Sequence, residues 1–426
     1  GGLGQRPGTD DGRGRGGALL PSGGRQVESH YDAQAFQHGS RSEAMAARNS
    51  GALIGYKKFA NAVKRRQINA YCRGATLLVD LGCGRGGDLQ KWQEAGIASV
   101  LALDLSAAQL DEARMREGQT RGGKVGGKGG GGTAIEWRHA SMTTPGLFTA
   151  LAEPLVDAYR RGGGGGGGAL ADAVTVQFAL QYAFSSERVA SVVLRDACAM
   201  LRPGGVFFGV APDADAILRA LGESESGPSR QIRRGPPEQP FALLLHLLSG
   251  GEPGGRAAHF GAELVFSLED TVTEGSEQLT QTEYLLHRST LLRLAADHDL
   301  EPIEMQSLAD AAPEGGGFGG LRGRVLGAAE EAVARLYFCF AFRKAGGGAA
   351  AEKPGGSGGG SEGCRPRLGL GLGLGLGLGS ASSKVQQRGG GNGGGGGGRG
   401  GDGGRSGEGG GEGGGGRGAT PGGYGG

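Results

Sequence analysis

Residues 75–88 constrain this chain more than any other stretch. Ala75-Thr-Leu-Leu-Val-Asp80 is an almost continuous apolar run bounded by Gly74 and Gly82, the pattern of a strand buried on both faces of a parallel sheet. It passes directly into Asp80-Leu-Gly-Cys-Gly-Arg-Gly-Gly-Asp88, where a helical pattern begins. Glycines in such a loop let the backbone turn sharply and leave bare amides where a ligand can approach; Cβ atoms would block that approach.

The segments that follow take turns between the two periodicities. Helical patterns at Asp88–Glu94, Ala107–Arg116 and Ser186–Leu201 alternate with strand patterns at Ser99–Leu103, Ile135–His139, Ala173–Gln177 and Val206–Ala211. This alternation predicts an α/β fold, a mostly parallel sheet with helices on both faces. One or two amphipathic helices are expected between Ser42 and Tyr71, and a helix over Leu285–His298. Glu301–Met305 and Arg335–Phe342 read as strands that pair in an antiparallel hairpin at the sheet edge. The stretch Gly222–Ala258, with its apolar patch Phe241–Leu248, reads as a loop plus a short helix.

The glycine loop, the strand before it and an acid after the next strand together predict a nucleoside site. Asp104 ends the second strand, where a ribose-binding carboxylate belongs in such folds. Asp88 stands at the start of the following helix, where its charge would oppose a pyrophosphate. A nucleoside with an uncharged linker, S-adenosylmethionine, fits this loop better than a dinucleotide. Leu201-Arg-Pro-Gly-Gly-Val-Phe-Phe208, a helix stopped before an apolar strand, is characteristic of the same methyltransferase class.

Composition bounds the folded part. The 426 residues include 96 glycines and 16 prolines, so much of the chain cannot pack. Residues 1–27 are expected to be a disordered Gly/Arg-rich N-terminus and 346–426 a disordered Gly-rich tail with Arg-Gly-Gly triplets at Arg388 and Arg399. The single catalytic domain is expected over 28–345, with glycine-rich surface insertions at 122–132 and 162–168. The net charge is +2, and the tail alone carries eight Lys or Arg against five Asp or Glu. The folded part is therefore near neutral, and a polyanion must be held by a local basic groove. Five scattered cysteines without a Cys-x-x-Cys pair predict reduced thiols. No metal-ligand spacing and no membrane-length apolar run occurs, so neither a metal nor a membrane is expected. The chain starts Gly1-Gly2-Leu3-Gly4, without Met, as expected of a processed product or a fragment.

Beyond the glycine loop, several segments occur in the order found in one family. They are His30-Tyr31-Asp32, Lys58-Phe-Ala-Asn-Ala-Val-Lys64, Gln177-Phe-Ala-Leu-Gln-Tyr-Ala-Phe184, Phe260-Gly261, Phe266-Ser-Leu-Glu269, Thr282-Glu-Tyr-Leu285 and Leu336-Tyr-Phe-Cys-Phe-Ala-Phe342. From about Glu28 to Lys344 the chain resembles the eukaryotic mRNA cap guanine-N7 methyltransferases. The resemblance implies a Rossmann-like class I methyltransferase fold with a seven-stranded sheet, S-adenosylmethionine as donor, capped RNA as substrate and the nucleus as the place of action. Other capping enzymes or an activating subunit are the partners it suggests.

The resemblance also implies site residues. Lys64, Gly82, Gly84, Asp104, Ser141, Gln177 and Tyr182 would hold the donor. Asn61, Arg85, Asp88, Gln181, Glu283, His287 and Tyr337 would line the cap pocket. Glu283 has the most readable role, since a carboxylate accepts hydrogen bonds from guanine N1–H and the exocyclic amine. Ala60 and Ala62 depart from the family, which commonly carries Asn and Trp there, and His is common where Gln181 stands. Guanine N7 is already a nucleophile, so no catalytic acid or base is assigned. Two alternatives stay open at this level: a class I methyltransferase with another acceptor, and a catalytically weak homologue that binds RNA.

Overall fold

The computed structural model describes residues 22–35, 53–122, 132–165, 170–222, 229–234, 241–249, 258–268, 282–311 and 326–346. Contacts divide the chain into Gly1–Glu352 and Lys353–Gly426, and every described residue belongs to the first unit. Residues 123–131 and 166–168 of the two glycine insertions, the Leu-Gly repeat, Arg388, Arg399 and Cys364 lie outside the described residues.

Seven strands form the main sheet: β1 (Leu77–Leu81), β2 (Ser99–Asp104), β3 (Ala134–His139), β4 (Ala171–Gln177), β5 (Leu201–Pro212), β10 (Leu300–Ser307) and β11 (Tyr337–Lys344). Their order is β10-β11-β5-β4-β1-β2-β3, and β1 lies in the interior as its apolar run predicts. The pairs among β1 to β5 are parallel, whereas β11 runs antiparallel to both β5 and β10. The expected edge pairing of the last two strands is present, but a 3-10 turn at Leu308–Asp310 and a helix at Ala328–Ala334 lie between them, in place of a tight hairpin.

Alternate residues of β1 explain why the sheet is covered on both sides. Leu77, Val79 and Leu81 pack into one core with the helices Ala152–Arg161, Glu187–Met200 and Arg288–Ala296. Leu78 points the other way, against Ile68 and Cys72 of the helix Ile54–Cys72 and against Leu89 and Trp92 of the helix Leu89–Glu94. All five β1 residues are buried. Burying one Leu or Val stabilises by roughly 1.5–3 kcal/mol, so packing on both faces pins the strand and the loop it carries. Cys72, Cys83, Cys198 and Cys339 are free thiols. No helix among the described residues is long and apolar enough to cross a membrane.

Three expectations are corrected here. The helix Ser22–Gln34 begins inside the stretch expected to be disordered. Its local sequence is weak for a helix, and tertiary contacts hold it: Ser106 Oγ donates to Asp32 Oδ1 at 2.5 Å and Gln109 Nε2 donates to the Tyr31 carbonyl at 3.2 Å. Phe241–Leu247 is strand β7 rather than a short helix. It belongs to a second, antiparallel sheet, β6 (Ser229–Arg234), β7, β8 (Glu263–Leu268) and β9 (Thr282–Tyr284). Leu243 and Leu245 bury on one face, and pairing with β8 satisfies a backbone whose leucines would otherwise suit a helix. Finally, the helix expected from Leu285 starts at Arg288, after an extended His287.

Candidate active site

The loop after β1 adopts backbone angles that glycine alone takes without strain. Gly82 has φ +96° and Gly84 φ +52°, and a Cβ on Gly82 would lie 3.0 Å from Ala179 Cβ. The amides of Gly82 and Cys83 both donate to the Leu103 carbonyl, at 2.8 and 2.9 Å, which ties the loop to the end of β2. There Asp104 accepts from Gly84 N at 2.7 Å and from Ser106 N at 2.9 Å. Burial pushes the Asp104 carboxyl upward, and these backbone donors oppose the shift.

The helix Ile54–Cys72 supplies the adjoining wall. Lys64 Nζ donates to Asp88 Oδ2 at 2.8 Å, and Lys91 Nζ lies 2.7 Å from Asp88 Oδ1. Burial alone would raise the Asp88 carboxyl, but the two lysines outweigh it and hold the group well below the usual carboxylate range. Asn61 donates its side-chain amide to the Lys57 carbonyl at 2.8 Å. Arg85 sits in the loop with its guanidinium pulled down by burial, against the nearby Glu112 that raises it.

The C-terminal end of β4 forms the floor. Gln177 Nε2 donates to Thr175 Oγ1 at 2.9 Å, while Gln177 Oε1 is buried with no partner among the described residues. Phe178 follows at φ +61°, an uncommon conformation for an aromatic residue, and its ring meets Tyr337 edge-on at 5.2 Å. Tyr337 in turn stacks on Tyr56 at 6.2 Å. The next turn carries Gln181, which donates to the Phe178 carbonyl at 3.0 Å, and Tyr182, which donates to Glu283 Oε1 at 2.9 Å. Glu283 comes from β9 of the second sheet and is 2% exposed. Burial pushes its carboxyl up to about 7, although Tyr182 and Gln181 oppose the shift by hydrogen bonding to the charged form.

These elements enclose one cavity of about 750 Å³. Lys64, Gly82, Gly84, Asp104, Ser141, Gln177 and Tyr182 all line it. So do Asn61, Arg85, Asp88, Gln181, Glu283 and Tyr337. His287 does not: its Nδ1 lies 2.9 Å from Asp215 Oδ1 and its ring packs against His259. A helix would have stacked His287 over Glu283 four residues earlier, but β9 ends at Tyr284 and the helix begins only at Arg288. Sequence reading missed Gln26, Val27 and Tyr31, which the N-terminal helix brings to the rim, and Tyr56, Gln109 and Arg116. The signal available for Tyr31 was its place in the His30-Tyr31-Asp32 segment.

Comparison with known proteins places the chain in a family. Residues 22–315 match the family model of the mRNA (guanine-N(7))-methyltransferase domain. The chain is 27% identical over 349 residues to mRNA cap guanine-N(7) methyltransferase 1 of Oryza sativa, covering 76% of this chain and 82% of the rice protein. It is 26% identical over 341 residues to the Schizosaccharomyces pombe enzyme, covering 75% and 82% of the two chains. Against a solved S-adenosylmethionine-dependent methyltransferase from Clostridium acetobutylicum the TM-score is 0.39 at 11% identity, over 68% of this chain and 92% of that one. The chain belongs to the mRNA (guanine-N7)-methyltransferase family: it is an S-adenosylmethionine-dependent enzyme of mRNA capping that methylates guanine N7 of the cap.

Proposed function

We propose that the cavity divides into a donor half and a cap half. In the donor half, the amides and open backbone of Gly82 and Gly84, the Asp104 carboxylate, Gln177, Ser141, Tyr182 and Lys64 hold S-adenosylmethionine. The residues fit that group: a Cβ would crowd the loop, Asp104 offers acceptors to sugar hydroxyls, and Gln177 Oε1 is a buried acceptor still lacking a donor. The donor brings an electrophilic methyl group. In the cap half, Glu283 accepts from guanine N1–H and its amine, Tyr337 and Phe178 contribute aromatic surface, and Arg85 offsets cap phosphate charge. Asn61, Asp88 and Gln181 complete that wall.

No general base is required, because guanine N7 carries a free lone pair. The side chains act by fixing the reacting groups relative to one another, which is worth roughly 7–11 kcal/mol at best. Ionised Glu283 also places negative charge in the cavity where positive charge develops on guanine. The observation that carries this reading is a buried carboxylate from the second sheet facing the same cavity as the glycine loop and Asp104. Labelled methyl transfer to capped RNA, uncapped RNA and free GTP tests it: transfer is expected with capped RNA and not with uncapped RNA.

The domain boundaries follow the same reading, with the catalytic domain reaching from the N-terminal helix to about Ala345 and glycine-rich tails on either side. The Arg-Gly-Gly triplets at Arg388 and Arg399 would add weak, sequence-independent contacts to RNA. Capped RNA is the substrate; other capping enzymes or an activating subunit are the proposed partners, and the nucleus the proposed location. Support for the last two comes from the family alone.

A further inference from the structure

Two hydrogen bonds reach Glu283 in series. Tyr182 donates its hydroxyl proton to Glu283 Oε1 at 2.9 Å, and the Tyr31 hydroxyl lies 2.9 Å from the Tyr182 hydroxyl. A phenol has one proton to give, and that of Tyr182 is committed to the carboxylate. Tyr31 must therefore be the donor in the second bond. The chain runs in one direction, from Tyr31 through Tyr182 to Glu283, and each bond polarises the next.

Tyr31 is not part of the sheet scaffold. It sits on the helix Ser22–Gln34, whose position is set by donor-side residues: Asp32 takes the Ser106 hydroxyl, and Ser106 N in turn donates to Asp104. The Tyr31 ring meets that of Tyr182 edge-on at 6.3 Å. We infer that Tyr31 is a positioning residue for guanine recognition: acting through Tyr182, it orients and stabilises the ionised Glu283 carboxylate that accepts the guanine edge. The inference rests on the reading of Glu283 as the guanine acceptor.

Tyr182 and Gln181 both hydrogen-bond the Glu283 carboxylate, and Tyr182 is linked onward to Tyr31. Tyr182 from the turn after β4 and Tyr337 from β11 are both pushed well above the ordinary phenol value by burial, so they stay neutral near pH 7. Gln181, beside Tyr182, is an uncharged amide. The neighbouring strand β8 carries Glu263 opposite Tyr284, and the helix Ile54–Cys72 brings Tyr56, Lys57 and Lys64 to the cavity, with Lys64 paired to Asp88. The N-terminal helix itself adds Glu28 and His30 beside Tyr31. Burial holds the Glu283 carboxyl up near about 7, so a small loss of hydrogen-bond support falls where ionisation is half complete.

The test is direct binding of the unmethylated cap dinucleotide GpppA to the full chain by calorimetry, from roughly pH 6 to pH 8.5, a range that brackets the Glu283 ionisation. Wild-type affinity is expected to rise with pH as the carboxylate forms. Tyr31→Phe is expected to move that rise upward by roughly half a pH unit, to weaken binding about fivefold near neutrality, and to converge with wild type at the alkaline end. Thermal unfolding of the variant beside wild type shows separately that it is folded. A Tyr31→Phe curve that follows wild type, or is weaker by one factor at every pH, overturns the inference. Glu283→Gln separates the two layers: it should weaken GpppA more than tenfold and flatten the pH response. If it leaves GpppA binding unaltered, the reading of Glu283 fails and the inference with it.

Discussion

Lys64 Nζ lies 2.8 Å from Asp88 Oδ2 and Lys91 Nζ lies 2.7 Å from Asp88 Oδ1, so one buried carboxylate is held between two ammonium groups at the edge of the donor loop. Asp88→Asn would leave both lysines without their counter-charge at side-chain exposures of 16% and 5%. The expected loss at pH 7 is about 2–4 kcal/mol in urea unfolding. The Asp88 carboxyl is depressed in the folded state, so its contribution is present above the ordinary carboxylate pKa of 3.8 and declines as pH falls below it. The gap between wild type and variant should therefore be smaller at about pH 3 than at neutrality by about 1 kcal/mol. A gap that does not change with pH would show that the carboxylate's charge is not what stabilises this corner.

Glu283 behaves in the opposite sense. Its carboxyl is raised from 4.5 to about 7, so the folded state holds the proton more tightly than the unfolded chain. Stability from this group is greatest below pH 4.5 and is lost as pH rises through about 7. Glu283→Gln should accordingly make the ligand-free protein more stable at about pH 8, by up to about 3 kcal/mol, while methyl transfer to capped RNA falls more than tenfold. Thermal unfolding of both proteins at acid and alkaline pH, beside a transfer assay, measures the exchange.

Asp104 accepts two backbone amides at the mouth of the donor loop. Asp104→Ala removes the acceptor offered to the donor and the tie that shapes the loop, so S-adenosylmethionine binding by calorimetry should be abolished, a loss of at least about 100-fold. Unchanged affinity would place the donor elsewhere.

Gly82→Ala separates backbone strain from crowding. At φ +96° an Ala is strained by about 1–2 kcal/mol, and its Cβ would meet Ala179 at 3.0 Å. Gly96, at φ +68° with nothing within 4 Å of a built Cβ, is the control. Both variants should lose stability, but only Gly82→Ala should weaken donor binding, by about tenfold or more as read by calorimetry.

The chain's local patterns determined the parallel sheet, the donor loop and most of the cavity wall. The apolar run ending in Asp80-Leu-Gly-Cys-Gly is short range by nature: strand burial, a glycine turn and an acid at the end of the next strand are all written within about 30 residues of sequence, the span of one βαβ unit. Local pattern also marked the two terminal strands, β10 and β11, which pair at the sheet edge as expected.

Long-range pairing decided the rest. Phe241–Leu247 is leucine-rich enough to read as helix, and its pairing with β6 and β8 makes it a strand; that second sheet then lifts Glu283 into the cavity and carries His287 past it. The helix Ser22–Gln34 has little helical preference of its own, yet contacts with Ser106, Gln109 and Tyr182 hold it over the site. Sequence periodicity reports which face of an element is apolar. Which distant element covers that face, and hence which side chains converge on one carboxylate, depends on contacts between residues far apart in the chain, and only the folded structure supplies those.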